Sequence, residues 1–211
     1  MKDKQNIDRQ LRILHSITHS LLHNKNVSSL LSDVLEILSN ELELERGTLT
    51  LRRDDTLFIE AASGLQDHEK SRGHYKIGEG ITGKVALTGK PRIIPDIRSE
   101  PEFLNKTKAR KEDKLAFICV PIIFNSEVIG TMSIDYATPS SEEELKSLLR
   151  FLEIIANILA DAVNSLRDQI SEKEFLLNEN ERLKNELSDK FRPGNIIGNC
   201  SSMRKVYSMI A

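Results

Sequence analysis

The chain has 211 residues, 39% hydrophobic and 29% charged, with 30 Lys and Arg against 32 Asp and Glu. That length fits one ordinary domain with an appendage, or two small domains. The near-neutral balance gives no electrostatic footprint for nucleic acid or a membrane surface, and no apolar run approaches the roughly 20 residues that span a bilayer.

Residues 5–23 carry apolar positions at Ile7, Leu11, Leu14, Ile17 or Thr18, and Leu21. This 4-3 spacing predicts a helix with one apolar stripe. Asn24-Lys25-Asn26 interrupts it, and a second helix is predicted over 28–42, capped by Ser28 or Ser29. No h-region precedes the first helix, so no signal peptide is expected. From Gly47 the period becomes two. TLTLRR and TLFIEAAS around Asp54-Asp55 predict a hairpin. HYKI follows as a short strand. GEGITGKVALTGK then predicts a glycine turn feeding a short helix over Ile81–Leu87, stopped by Gly89 and Pro91.

RIIPDI is a short extended piece. SEPEFLNKTKARKEDK, residues 99–114, is strongly polar and is expected to form a mobile loop with a helical turn. LAFICVPIIF reads as a strand buried on both faces. With VIGTMSIDY it makes a second hairpin around Asn125-Ser126-Glu127. Ser140 or Ser141 followed by glutamates is a capping signature. No proline or glycine then occurs until Pro193, which predicts one helix to about Lys190. Fifty helical residues are about 75 Å long, more than a small domain buries. Residues 148–163 are rich in apolar side chains and suit packing on a domain. Beyond them, positions 159, 166, 173, 180 and 187 keep a heptad seam that predicts a dimeric coiled coil. Asn180 sits on it, where a buried Asn sets register and strand number. Phe191-Arg192-Pro193-Gly194 ends the helix, and Met203, Val206, Tyr207 and Ile210 regain helical spacing as a new segment begins.

Gly78, Gly80 and Gly83 match a dinucleotide fingerprint, and Gly78 with Gly83-Lys84 nearly matches a phosphate-binding P-loop. Val85 stands where the P-loop needs Ser or Thr for Mg²⁺, and no parallel βαβ unit surrounds the glycines. A tight turn is the better reading. His15, His19 and His23 form an i, i+4, i+8 row that can hold a metal, but no carboxylate or cysteine lies near them in sequence, so a solvated or interface stripe is favoured and no metal is expected. Cys119 in the most apolar strand reads as an inert buried thiol; Cys200, near Arg204 and Lys205, is the more reactive candidate. Two isolated cysteines make no disulfide framework, which points to a reducing cytoplasm. No Ser-His-Asp, Cys-His or paired-carboxylate arrangement stands out, so no catalytic residue is expected. A sulfoxide-reductase activity would need a cysteine cluster that Cys119 alone does not supply.

Residues 71–122, SRGHYKIGEGITGKVALTGKPRIIPDIRSEPEFLNKTKARKEDKLAFICVPI, resemble the GAF domain of NifA-type nitrogen-fixation regulators. Residues 179–210, ENERLKNELSDKFRPGNIIGNCSSMRKVYSMI, resemble the linker and opening of the AAA+ domain of sigma-54-dependent activators. The resemblance implies an α+β GAF fold, an antiparallel sheet flanked by helices with a long C-terminal helix. It implies an N-terminal helix over 1–24, a GAF domain over 25–163, a coiled-coil linker over 164–190 and the start of an AAA+ domain over 191–211. It further implies a longer protein whose ATPase, with its P-loop beyond Ala211, remodels sigma-54 RNA polymerase at promoter DNA. Some such proteins sense 2-oxoglutarate and some answer to a regulatory protein partner. The alternative is a structural GAF dimerisation module without a ligand. Family ligands sit around segments corresponding to 76–88, 92–110, 117–121 and 131–135, which nominates Arg98, Lys106 and Arg110 as carboxylate partners. Phe117, Cys119 and Ser133 are candidates for the sheet side, with strand parity open. A homodimer is expected through Leu11, Leu14, Leu159, Val163, Leu166, Ile170, Leu177 and Asn180. Leu166→Asp or Ile170→Asp should then shift a dimer toward monomer in analytical ultracentrifugation; an unchanged dimer in both variants rejects the seam.

Overall fold

The computed structural model describes residues 2–108, 114–137, 141–190 and 202. Helices α1 (Lys2–His23) and α2 (Val27–Leu42) precede strands β1 (Arg46–Arg53) and β2 (Thr56–Ser63). A one-turn helix α3 (Asp67–Lys70), β3 (His74–Lys76), α4 (Gly80–Thr88) and β4 (Arg92–Ile94) follow, then a 3-10 turn over Ile97–Ser99. Strands β5 (Ala116–Phe124) and β6 (Glu127–Tyr136) lead to α5 (Glu142–Lys190), a single helix of 49 residues. The strands form one antiparallel sheet in the order β3-β2-β1-β6-β5-β4. Both expected hairpins form. Asp54 takes a positive φ of 53° in the first turn; Asn125 and Ser126, at 49° and 67°, make the second, the two-residue loop with both φ positive that suits the twist of the strands.

The chain divides into two compact units, Met1–Leu166 and Arg167–Ala211. In the first, one sheet face carries Leu49, Leu51, Ile118, Val120, Ile122, Met132 and Ile134 into the main core. Helix α2 covers this face with Leu30, Leu31, Val34, Leu35 and Leu38. The first part of α5 adds Leu145, Leu152, Ile155, Ala156, Leu159 and Val163. Two glycines let backbones meet here. A Cβ on Gly130 would stand 2.1 Å from the Thr50 carbonyl, and one on Gly47 would stand 2.6 Å from Leu35 Cδ1.

Several expectations are corrected. Asn26, not Ser28 or Ser29, caps α2: its side chain accepts from the Ser29 N–H at 2.8 Å. Ser141 is the hydroxyl that accepts from the Glu144 N–H at the start of α5. The buried stripe of α1 is Ile13, Ile17 and Ser20, whereas Ile7 and Leu11 are more than half exposed. The face is chosen partly by a polar joint. Ser20 and the Asn24 amide both donate to the Asp33 carboxylate of α2, at 3.0 and 2.8 Å, a tertiary contact that apolar periodicity does not contain. Leu159 and Val163, expected between two copies, are fully buried in their own chain's core, and Leu166 packs partly against it. The heptad period starts inside the domain, where the same apolar face is already covered.

Along the second unit, Ile170, Phe175, Leu176, Leu177, Leu183 and Leu187 are exposed, as is Asn180. Arg182 ties Glu179 and Glu186 into an intrahelical ion-pair chain. The segment expected to open an AAA+ domain, and Cys200 with it, lies outside the described residues. No helix among the described residues is long and apolar enough to cross a membrane. Gly130→Ala should lower the unfolding free energy by about 1–3 kcal/mol, because the carbonyl it meets belongs to a paired strand and cannot give way; urea unfolding measures it.

Candidate functional site

The opposite face of the sheet is built differently. On β1 it presents Arg46, Thr48 and Thr50, and their partners in register on β6 are Asp135, Ser133 and Thr131. All three pairs interact. Thr50 and Thr131 share a hydroxyl bond of 2.7 Å, and Thr48 and Ser133 another of 2.7 Å. A terminal nitrogen of Arg46 stands 3.6 Å from the Asp135 carboxylate, which is fully buried. A buried polar group without a partner costs about 1–3 kcal/mol, so cross-strand pairing is what makes this row tolerable beneath the covering segments.

Phe117 and Cys119 of β5 lie on this same face, beside Asp135 and Ser133. The parity left open by the apolar sequence of β5 is thereby resolved: Phe117 and Cys119 face away from the main core, while Ile118 and Val120 enter it. Ile81 and Val85 of α4, with Ile94, Ile97 and Leu115, complete a second, smaller core around them.

The glycine turn does form, and it feeds α4. Gly78 and Gly80 have φ of 87° and 60°, and the Gly78 N–H donates to the Gly83 carbonyl at 2.8 Å. A Cβ on Gly83 would lie 2.3 Å from the Lys76 carbonyl. Close backbone packing therefore accounts for glycine at that position.

The segment 99–108 is not simply a solvated loop. Thr107 is buried, and the Phe103 ring stands edge-on to Phe117 with centroids 5.1 Å apart. Leu104 lies over Gly80, where a Cβ would come within 2.8 Å of it. Two ion pairs hold the segment down. Lys84 pairs with Glu102, and Lys106 with Glu79 at 2.6 Å. Lys106 also donates to the His74 carbonyl at 3.0 Å and lies over the Tyr75 ring. Its hydrogen bond to Glu79 holds that carboxyl below the usual range.

Between this cap and the polar row lies a small cavity lined by Arg46, Thr48, Leu65, Tyr75, Ile81, Thr82, Phe103, Leu104, Thr107, Phe117 and Ser133. Its free volume, about 10 Å³, admits roughly one water molecule. Of the expected ligand residues, Phe117 and Ser133 line it. Cys119 sits deeper, bonded to Thr82 and Thr131. Arg98 does not reach the cavity; Asp96 holds it through bonds of 3.0 and 2.7 Å, and that pairing lowers the Asp96 carboxyl to about 2. Lys106 is a latch of the cap. Arg110 lies outside the described residues. Among the described residues, the charged group that lines it is Arg46, outside the segments searched from sequence. Its signal was nonetheless present: Arg46, Thr48 and Thr50 alternate with Gly47, Leu49 and Leu51, the period of a strand with a polar face.

The GAF-domain family model matches residues 24–164. The chain belongs to the GAF-domain family. Among solved structures, the GAF domain of A. aeolicus nlh2 in an inactive state superposes with a TM-score of 0.67 at 28% identity, covering 74% of this chain and 96% of that one. Among curated proteins, nitrogen fixation protein AnfA of Azotobacter vinelandii is 38% identical over 208 residues, 96% of this chain and 38% of that protein. The Nif-specific regulatory protein of Herbaspirillum seropedicae is 30% identical over 212 residues, 99% of this chain and 39% of that protein. The chain therefore spans about two-fifths of the length of the curated relatives it matches, and its GAF domain is of the NifA-like kind.

The histidine row of α1, ahead of the GAF domain, is exposed, with His19 and His23 stacked at 4.2 Å. The described residues contain no group of three or more metal-capable side chains. Burial pushes the Cys119 thiol up to about 12, against weaker opposing bonds from Thr131 and Thr82. With Cys200 replaced by Ser, the folded chain should resist disulfide-exchange reagents at pH 8 and react only on unfolding, since the thiolate is the nucleophile; a colorimetric thiol assay with and without denaturant reads the difference.

Proposed function

We propose that this chain is the N-terminal regulatory region of a NifA-like, sigma-54-dependent transcription activator. The observation that carries the reading is that two nitrogen fixation proteins and a Nif-specific regulatory protein match 95–99% of the chain at 30–38% identity, so the shared unit includes the exit helix as well as the GAF domain. The role is regulatory, without catalysis in this segment. In the whole protein an AAA+ ATPase would act on sigma-54 RNA polymerase at promoter DNA in the cytoplasm, and a regulatory protein could be a second input.

The working part is the junction of cavity and helix. A small molecule that prefers one arrangement of the cap shifts the domain between two states by its difference in affinity for them. The state passes to α5 where β6 ends: Tyr136 donates to Glu144 in the first turn of α5 at 2.9 Å. In a homodimer the exposed Ile170, Leu177 and Asn180 are among the seam residues that remain available. Leu11 and Leu14 of α1 are further interface candidates. 2-Oxoglutarate is the first ligand to test, because the Arg46 guanidinium in the lining suits a carboxylate.

A second reading is favoured by the free volume of about 10 Å³: a structural GAF dimer whose cavity is filled by Phe103, Leu104 and Phe117. Calorimetric titration with 2-oxoglutarate and with cyclic nucleotides separates the two. The sensor reading expects saturable heat from 2-oxoglutarate at one site per chain and none from the nucleotides; no heat from either supports the structural module. Ile170→Asp, chosen because Leu166 also packs on its own core, should reduce dimer content in sedimentation while leaving the thermal midpoint of the domain within a few degrees.

A further inference from the structure

Arg46 is only 16% exposed at its side chain, and its guanidinium is used on one edge. A terminal nitrogen faces Asp135 at 3.6 Å, longer than a direct charge-assisted hydrogen bond. Its Nε is buried and meets no hydrogen-bond acceptor among the described residues. The hydroxyls along the same row are paired two by two, so the unmet donor is specific to the residue at the cavity wall. A buried N–H of a charged group left without an acceptor is costly to the fold and calls for an explanation.

We propose that Arg46 is the carboxylate-recognising residue of this GAF domain, its Nε edge receiving one carboxylate of a small organic acid. The assignment rests on the sensor reading above and names the residue through which that site selects its ligand. A planar guanidinium edge matches two carboxylate oxygens, which an ammonium does not. Asp135 holds the guanidinium from its other side and fixes its direction. Thr48 and Ser133 lie two residues along β1 and β6, placed for a second polar group of the ligand, while Phe117 and Tyr75 offer apolar walls for its carbon chain. Among the described residues, Arg98 pairs with Asp96, Lys84 with Glu102 and Lys106 with Glu79. An acid of four or five carbons exceeds the present free volume, so Phe103 and Leu104 must move aside as it enters. Recognition at Arg46 and release of the cap are then one event.

Titration calorimetry of the 211-residue chain with 2-oxoglutarate, succinate and glutarate tests the assignment. Arg46→Gln should weaken whichever acid binds by roughly 10- to 100-fold, the size of a lost charge-assisted hydrogen-bonding edge. Arg46→Lys should fall nearly as far, and Arg98→Gln should change affinity by less than about twofold. Should the Arg46 variants not fold, nitrogen-15 spectra of the unsubstituted chain decide the matter: the Arg46 Nε–H resonance should move downfield as the acid saturates. Unchanged affinity in folded Arg46→Gln, or an unmoved Nε–H resonance at saturation, overturns the assignment while the sensor reading stands. An unsubstituted chain that binds none of the three acids overturns both.

Discussion

The antiparallel pairing of β1 with β6 is the constraint on which the rest of this molecule depends. The two strands lie at the centre of the sheet and are joined at no turn, being separated by some 80 residues of chain. Their register puts Leu49 beside Met132 and Gly47 beside Ile134 on one face, and Thr48 beside Ser133 and Arg46 beside Asp135 on the other. A slip of one residue would exchange the faces, driving an ion pair into the helical core and leucines into the cavity. Both the stability of the domain and the chemistry of its cavity are therefore written into one register.

That two-faced sheet also explains why the GAF domain can be rigid and adaptable at once. The helical side is a continuous core of fully buried aliphatic side chains. The cavity side is a polar row roofed by a short helix and a segment that two salt bridges hold in place. Those bridges are partly exposed, and exposed pairs contribute little, typically 0–1 kcal/mol. This roof lies over the residues proposed to bind a ligand, which is where a responsive element has to be.

The end of β6 joins these properties to the exit helix. Asp135 contacts Arg46 in the cavity wall, and the next residue, Tyr136, donates to Glu144 of α5. Burial and its bond to Glu144 raise the Tyr136 phenol above its ordinary range, and a phenol is in any case a donor at neutral pH. A change at the cavity wall thus has a short covalent and hydrogen-bonded route to the base of the helix.

What the sequence determined by itself were the features carried by local pattern: two leading helices, two hairpins, the glycine turn before α4, and a 49-residue helix whose apolar stripe outlasts its domain. Period, capping residues and turn chemistry act over a few residues, so they can be read without a partner. The inert setting of Cys119 was legible for the same reason, from the apolar run around it. Only the tertiary structure decided which face of α1 is buried, because Ser20, Asn24 and Asp33 meet across two helices. It alone showed that Leu159 and Val163 serve their own core rather than a second chain. It also placed Arg46, and not Arg98, at the cavity wall and made Lys106 a latch of the cap. The basic loop carried the visible charge, but Arg98 beside it is taken by Asp96 and Lys106 by Glu79. Arg46 enters the cavity because a strand far along the chain pairs with its own, and no local pattern states which strand that is.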